Sequence, residues 1–130
     1  NIPHNVKTFF DLPPEKLYEK YKKAQLLLLL TKDGIRTDGA DCSGQTVLLD
    51  AMANGLPIVV TKQEYLSDYA SDGKEAMYAH SYDPKDIKAY IEKMCDVQMR
   101  EDIAKSARRR VEEDFTTEKM AKELTMVFKR

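Results

Sequence analysis

Apolar residues along the chain fall into two alternating patterns. Short runs suited to strands are separated by longer stretches in which apolar positions recur every three or four residues. Residues 6–10 (VKTFF) read as a short strand. Pro13, Pro14 and Glu15 then predict a helix reaching about Ala24, because proline is tolerated in a first turn and an acid is favoured there. Residues 25–31 hold an unbroken leucine run, the pattern of a strand covered on both faces. Residues 32–41, with Gly34, Gly39 and several charges, predict a loop. Ser43 is a suitable N-cap for a helix to about Asn54, and Gly55 stands where a left-handed C-terminal cap belongs.

The alternation continues. Residues 57–61 (PIVVT) predict a second buried strand, residues 63–70 a short helix ended by Ser71, Asp72 and Gly73, and residues 76–80 a last short strand. Asp83 and Pro84 offer an N-cap and a first-turn proline to a helix on which Ile87, Tyr90, Ile91 and Met94 share one face. Two further helices follow, one carrying Ile103, Ala107 and Val111, the other Met120, Leu124 and Val127. Strand and helix in strict alternation imply an α/β fold, a doubly wound parallel sheet with flanking helices on both faces. Ligands of such sheets bind beyond the carboxyl ends of the strands. Two loops leave strands at that end, residues 32–42 and residues 61–64.

Composition narrows the function classes. The 130 residues are 42% hydrophobic and 33% charged with five glycines and five prolines, so a folded domain is expected rather than a linker. No repeat divides the chain, and residues 1–130 read as one unit. The net charge of −1 argues against a nucleic-acid binder, which needs a basic excess. Two cysteines and two histidines are too few for a disulfide framework, a four-ligand zinc site or a His-rich metal site. The longest apolar run has five residues where a membrane span needs roughly 20, which points to a cytoplasmic chain.

Chemistry concentrates at Asp41, Cys42, Ser43, Gly44, Gln45 and Thr46, which run from a loop into a helix's first turn. Unpaired backbone N–H groups and the helix dipole suit that place to an anion such as a pyrophosphate. Gly44 would let a ligand approach the backbone. Ser43, Thr46, Val47 and Asp50 share one helix face, with Asp50 about 10 Å along the axis from Ser43. A diphosphate at the helix start would leave its ribose near that carboxylate, which can accept two hydrogen bonds from a vicinal diol. Spacing alone favours a plainer alternative, an ordinary capped helix with a surface Asp.

Residues 43–60, SGQTVLLDAMANGLPIVV, shift that balance. They resemble the acidic-helix segment of family-4-like (group 1) GT-B glycosyltransferases, E-x7-E-A-M-A-x-G-x-P-V-V. The likeness extends to residues 6–10, to the Pro-Pro-Glu helix and leucine strand, to residues 67–73 (the family's P-E-i-i-x-D-G turn) and to Tyr82-Asp83-Pro84. The resemblance implies a Rossmann-like carboxyl-terminal GT-B domain that binds a nucleotide-diphosphate sugar for retaining transfer without a bound metal. Asp50 takes the place of the second acid, which contacts the ribose. The first acid should lie eight residues earlier, where Cys42 stands; adjacent Asp41 fills the role if the loop is shifted by one residue. Backbone around Gly44, Gln45 and Thr46 would hold phosphate and sugar hydroxyls, and Lys62, Gln63 and Glu64 on the second loop could reach donor or acceptor.

The family's domain also begins with a strand–helix pair bearing an Arg and a Lys for the pyrophosphate, and its partner is an amino-terminal acceptor-binding domain. Neither is recognisable here, so the chain is expected to be a partial domain, inactive alone. By analogy, residues 6–10 and 25–31 would be strands 3 and 4 of a 3-2-1-4-5-6 sheet, with residues 6–10 pairing beside residues 25–31, lying loose, or pairing with another copy. Peripheral membrane attachment through a lipid acceptor stays open. Two rival readings are a GT-B-shaped sugar-nucleotide epimerase and a non-catalytic module that docks through its final helix. His4, His80 and Cys42 are read as structural, and the run Arg108-Arg109-Arg110, followed by Glu112, Glu113 and Asp114, as a solvated helix face.

Overall fold

The computed structural model of the chain describes residues 2–31, 44–80 and 82–129. Helix α1 (Pro14–Lys23) opens the folded part, followed by strand β1 (Leu27–Leu29), helix α2 (Gln45–Ala53) and strand β2 (Ile58–Thr61). A 3₁₀ turn (Glu64–Asp68) leads to strand β3 (Met77–Ala79), and helices α3 (Pro84–Lys93), α4 (Val97–Asp114) and α5 (Thr117–Phe128) complete the chain. The sheet is parallel throughout, in the order β1-β2-β3. Leu28 pairs with Val59, and Val60 with Tyr78. The predicted α/β architecture is the one observed, and the strand order follows the 4-5-6 sequence expected of residues 25–80.

Alternation along β2 builds the core. All four of its residues are buried. Ile58 and Val60 face one layer, where Leu48, Ala51 and Met52 of α2, Tyr21 of α1 and Ala107 of α4 pack with Tyr78. Val59 faces the other layer with Ala79, Ile87, Met94 and Ile103. A period-2 strand between two helical layers needs apolar residues at every position, which is what IVV supplies.

Local signals set the ends of the helices. After α2, Gly55 adopts φ +63°, and the N–H groups of Gly55 and Leu56 return to the carbonyls of Met52 and Ala51 at 3.0 Å each. Leu56 is thereby turned into the core. Asp83 caps α3 by accepting the Lys85 N–H at 2.8 Å, and Asp96 caps α4 by accepting that of Met99 at 2.8 Å. Thr116 caps α5 through the Lys119 N–H at 3.2 Å. Thr116→Ala should lower stability by about 1 kcal/mol, readable as a small drop in the urea midpoint.

Two predictions need correction. Residues 6–10 form no strand: Val6, Phe9 and Phe10 are exposed, the Val6 N–H turns back to the Pro3 carbonyl at 3.0 Å, and the Lys20 ammonium sits 4.0 Å above the Phe9 ring. The segment therefore takes the loose alternative. Alternation specifies two faces but no partner, and Asp11 at φ +49° turns the chain towards α1 before any pairing is made. The leucine strand is also shorter than predicted and its second face is covered only in part: Leu26 packs against the Val59 layer, but Leu28 and Leu30 are 38% and 53% exposed. Among the described residues β1 has a single neighbour, and the side away from β2 is open. The short helix predicted over residues 63–70 is present as a 3₁₀ helix, Glu64–Asp68. The predicted loop at residues 32–41 lies outside the described residues.

Candidate functional site

The carboxyl ends of β1 and β2 are joined by side chains where the ladder stops. Thr31 and Thr61 are both buried, at 6% and 1% exposure. The Thr61 hydroxyl accepts the Thr31 N–H at 2.9 Å and donates to the Thr31 carbonyl at 2.8 Å. The two hydroxyl oxygens lie 3.0 Å apart. Thr61 has one hydroxyl proton and directs it at the carbonyl, so Thr31 is the donor between the hydroxyls. The same carbonyl accepts from the Tyr82 hydroxyl at 2.7 Å and, more weakly, from the Gln63 amide at 3.3 Å. Gln63 also donates to the Tyr82 oxygen at 3.0 Å. Segments that follow all three strands thus converge on Thr31.

Helix α2 starts against this knot. Its N-cap is Gly44, one residue later than the predicted Ser43, in the left-handed region at φ +93°. A Cβ at Gly44 would stand 2.9 Å from the Thr31 methyl and 3.2 Å from a Leu29 methyl. The close neighbour that requires glycine is therefore the end of β1. The first helical bond runs from the Leu48 N–H to the Gly44 carbonyl at 2.9 Å, which leaves the N–H groups of Gln45, Thr46 and Val47 without intrahelical partners. Gly44 has no side chain to cap them, and the first turn holds no acid. Each of the other four α-helices has a side-chain cap or a first-turn acid: Glu15, Asp83, Asp96, and Thr116 with Glu118. The positive end of the α2 dipole is uncompensated by any of these devices.

Asp50 lies in the second turn of α2, half-buried, with Thr46 and Val47 exposed before it. It is near enough to α1 that its charge, after burial itself, raises the Tyr21 phenol pKa. Asp41, Cys42 and Ser43 lie outside the described residues.

The second loop borders an open cleft of about 540 Å³ lined by Lys62, Gln63, Glu64, Ser67, Tyr78 and His80. Lys62 and Glu64 are exposed, whereas Gln63 is 3% exposed and turned towards Thr31. His80 Nε2 is 3.5 Å from Asp72 Oδ2, and Asp72 Oδ1 accepts the Tyr78 N–H at 2.8 Å. The Tyr78 hydroxyl donates to the Ala70 carbonyl at 2.7 Å. Burial, then Asp72 and Glu75, push its pKa up to about 12 from 10.0. The folded state therefore holds this proton more tightly than the unfolded state. The resulting stabilisation is complete below about pH 10 and is lost as pH rises through about 12. Urea denaturation over that window should show stability falling, and falling less steeply in Tyr78→Phe. That variant should also lose about 1–2 kcal/mol at neutral pH, because the buried Ala70 carbonyl loses its donor.

Residues 1–110 match the family described as Glycosyl transferases group 1. The chain belongs to that family. A comparison with curated proteins finds no match. Membership in the group 1 glycosyl transferases implies a nucleotide-sugar donor and an acceptor as substrates.

In this glycosyl transferase the arginine run has structural duties, in keeping with its reading as a helix face. Arg108 donates to the Ala53 carbonyl at the end of α2 and pairs with Glu112 at 2.5 Å. Arg110 pairs with Asp114 at 2.6 Å and lies 5.5 Å from the Phe115 ring. Asp114 also accepts from Lys119, and that hydrogen bond is the main cause of its lowered pKa. No group of three or more His, Cys, Asp or Glu residues suited to a metal ion occurs among the described residues. No described helix is long and apolar enough to cross a membrane.

Sequence reasoning missed Thr31, Thr61 and Tyr82. The one signal available was their position, each at or just beyond the carboxyl end of a predicted strand.

Proposed function

We propose that this group 1 glycosyl transferase chain is the donor-binding, carboxyl-terminal part of a family-4-like GT-B enzyme. In this reading it holds a nucleotide-diphosphate sugar for retaining transfer to an acceptor carried by an amino-terminal domain. The observation that carries the reading is the start of α2. There three N–H groups without intrahelical partners, a glycine N-cap and an acid-free first turn stand at the carboxyl edge of a parallel sheet. Such a terminus favours a diphosphate over a neutral ligand.

The roles follow from that placement. Amides of Gly44, Gln45 and Thr46 receive the diphosphate, and Asp50, farther along α2, accepts from the ribose diol. The contact with the transferred sugar is assigned, by resemblance to the family's first acid, to Asp41 or Cys42. Lys62 and Glu64 border the neighbouring cleft, where donor or acceptor hydroxyls can reach them. As the bond to the sugar breaks, negative charge grows on the leaving diphosphate, and fixed amides stabilise it without reorganising. No metal is required by this scheme. The exposed apolar residues of α5 (Met120, Leu124 and Val127) suit contact with the acceptor-binding domain.

An amide NMR titration with UDP, GDP and ADP and their sugar derivatives tests the reading. Saturable shifts should cluster on residues 44–50 for one of these bases. Asp50→Ala should weaken binding by roughly tenfold, as loss of a charge-assisted hydrogen bond would. A dispersed spectrum that no nucleotide disturbs would refute the donor site.

A further inference from the structure

The knot at Thr31 bears on how the α2 terminus is held. Tyr82 lies in the connection between β3 and α3, 51 residues from Thr31, yet its hydroxyl donates to the Thr31 carbonyl at 2.7 Å. Gln63, from the loop after β2, donates to that same hydroxyl and reaches the same carbonyl. Thr31 is in turn the surface against which Gly44 rests, with no room for a Cβ between them. A hydrogen bond therefore ties Tyr82 to Thr31, and the Thr31 methyl stands beside the N-cap of α2.

We propose that Tyr82 is a positioning residue for the donor, acting through Thr31 to fix Gly44 and the amides that follow it. The proposal rests on the donor-site reading above. Its physical basis is the stiffness of the arrangement. Thr31 is past the last ladder pair of β1, Leu29 with Val60, so the sheet's backbone pairing does not hold it. The side chains of Thr61, Gln63 and Tyr82 hold it instead. Tyr82 is itself 47% exposed, so its ring adds modestly to the core and its hydroxyl is the part that acts. A shift at Thr31 would change the space beside Gly44, where an added Cβ would stand only 2.9 Å from the Thr31 methyl. Donor phosphate oxygens need amides aimed within hydrogen-bonding geometry, and such contacts weaken steeply when misaligned.

The test compares Tyr82→Phe with the parent chain and with Thr116→Ala, a remote cap variant that controls for a general loss of stability. In the free protein, Tyr82→Phe should move the amide resonances of Gly44, Gln45 and Thr46, which Thr116→Ala leaves in place. In titrations with UDP, GDP and ADP, Tyr82→Phe should weaken the nucleotide that the parent binds by roughly tenfold. Its Tm should fall no further than that of Thr116→Ala. Gln63→Met, which keeps the Tyr82 bond to Thr31, should move the same amides by less and weaken binding by less. It serves equally if Tyr82→Phe folds poorly. Binding by the parent together with unchanged affinity or unmoved Gly44–Thr46 amides in these variants overturns this proposal alone. Absence of binding by the parent overturns the donor reading and this proposal with it.

Discussion

Replacing Gly44 with alanine is expected to destabilise the chain by about 2–5 kcal/mol and to remove nucleotide binding with it. Two independent penalties meet at this position. The backbone is at φ +93°, where a side chain costs about 1–2 kcal/mol. The new methyl would also stand 2.9 Å from the Thr31 methyl and 3.2 Å from that of Leu29, and forcing such contacts apart costs a further 1–3 kcal/mol or so. The nearer neighbour cannot swing away easily, since Thr31 is pinned by Thr61 and Tyr82. Urea denaturation read by circular dichroism checks the size. By contrast, Gly55 has φ +63° with nothing within 4 Å of its Cβ position, so Gly55→Ala should show the backbone penalty alone. Equal losses at the two sites would show that the contact with Thr31 carries no weight.

Thr61→Val should cost about 3 kcal/mol although the two side chains have nearly the same shape. The exchange deletes one oxygen that serves three bonds. The buried Thr31 N–H loses its acceptor, the Thr31 hydroxyl loses the oxygen it donates to, and the Thr31 carbonyl loses one of its donors. The carbonyl keeps Tyr82 and Gln63, whereas the N–H keeps none of these bonds. Leaving a buried donor unpaired costs about 1–3 kcal/mol, and two donors are stranded here. Thr61→Ser, which retains the hydroxyl, should recover most of the loss apart from its missing methyl. If valine and serine were equally destabilising, packing rather than hydrogen bonding would hold the ends of β1 and β2 together.

Much of the architecture was legible because each element carried its own local signal. The PIVVT strand, the left-handed Gly55 and the Asp83-Pro84 start are all properties of a few adjacent residues, and the structure places them as read. Residues 6–10 failed because alternation describes faces and says nothing about a partner strand. The leucine run misled for a related reason: apolar residues on two faces imply two coverings, yet Leu28 and Leu30 are open to solvent among the described residues. Near α2, Asp50 was picked out by helical spacing and Gly44 by its place at the helix start, though the neighbour that requires the glycine, Thr31, was not. The knot was invisible because Thr31, Thr61, Gln63 and Tyr82 are ordinary loop-edge residues until the sheet brings them together. No pattern within a window of ten residues reports a bond across 30 or 51.

Those separations also bear on the order in which the molecule assembles. Closing a loop of 30 residues, and then one of 51, removes chain entropy before either contact returns any stabilisation. Apolar pairing of β1, β2 and β3 can proceed without these bonds, but the bonds cannot form until the three strand ends are neighbours. The polar edge therefore closes late in folding and opens early in unfolding, while the layer around β2 persists. Hydrogen exchange should accordingly rank the amide of Thr31 well below those of Val59 and Val60. Ligand-competent molecules would then be a fraction of folded ones, set by how often this edge is shut.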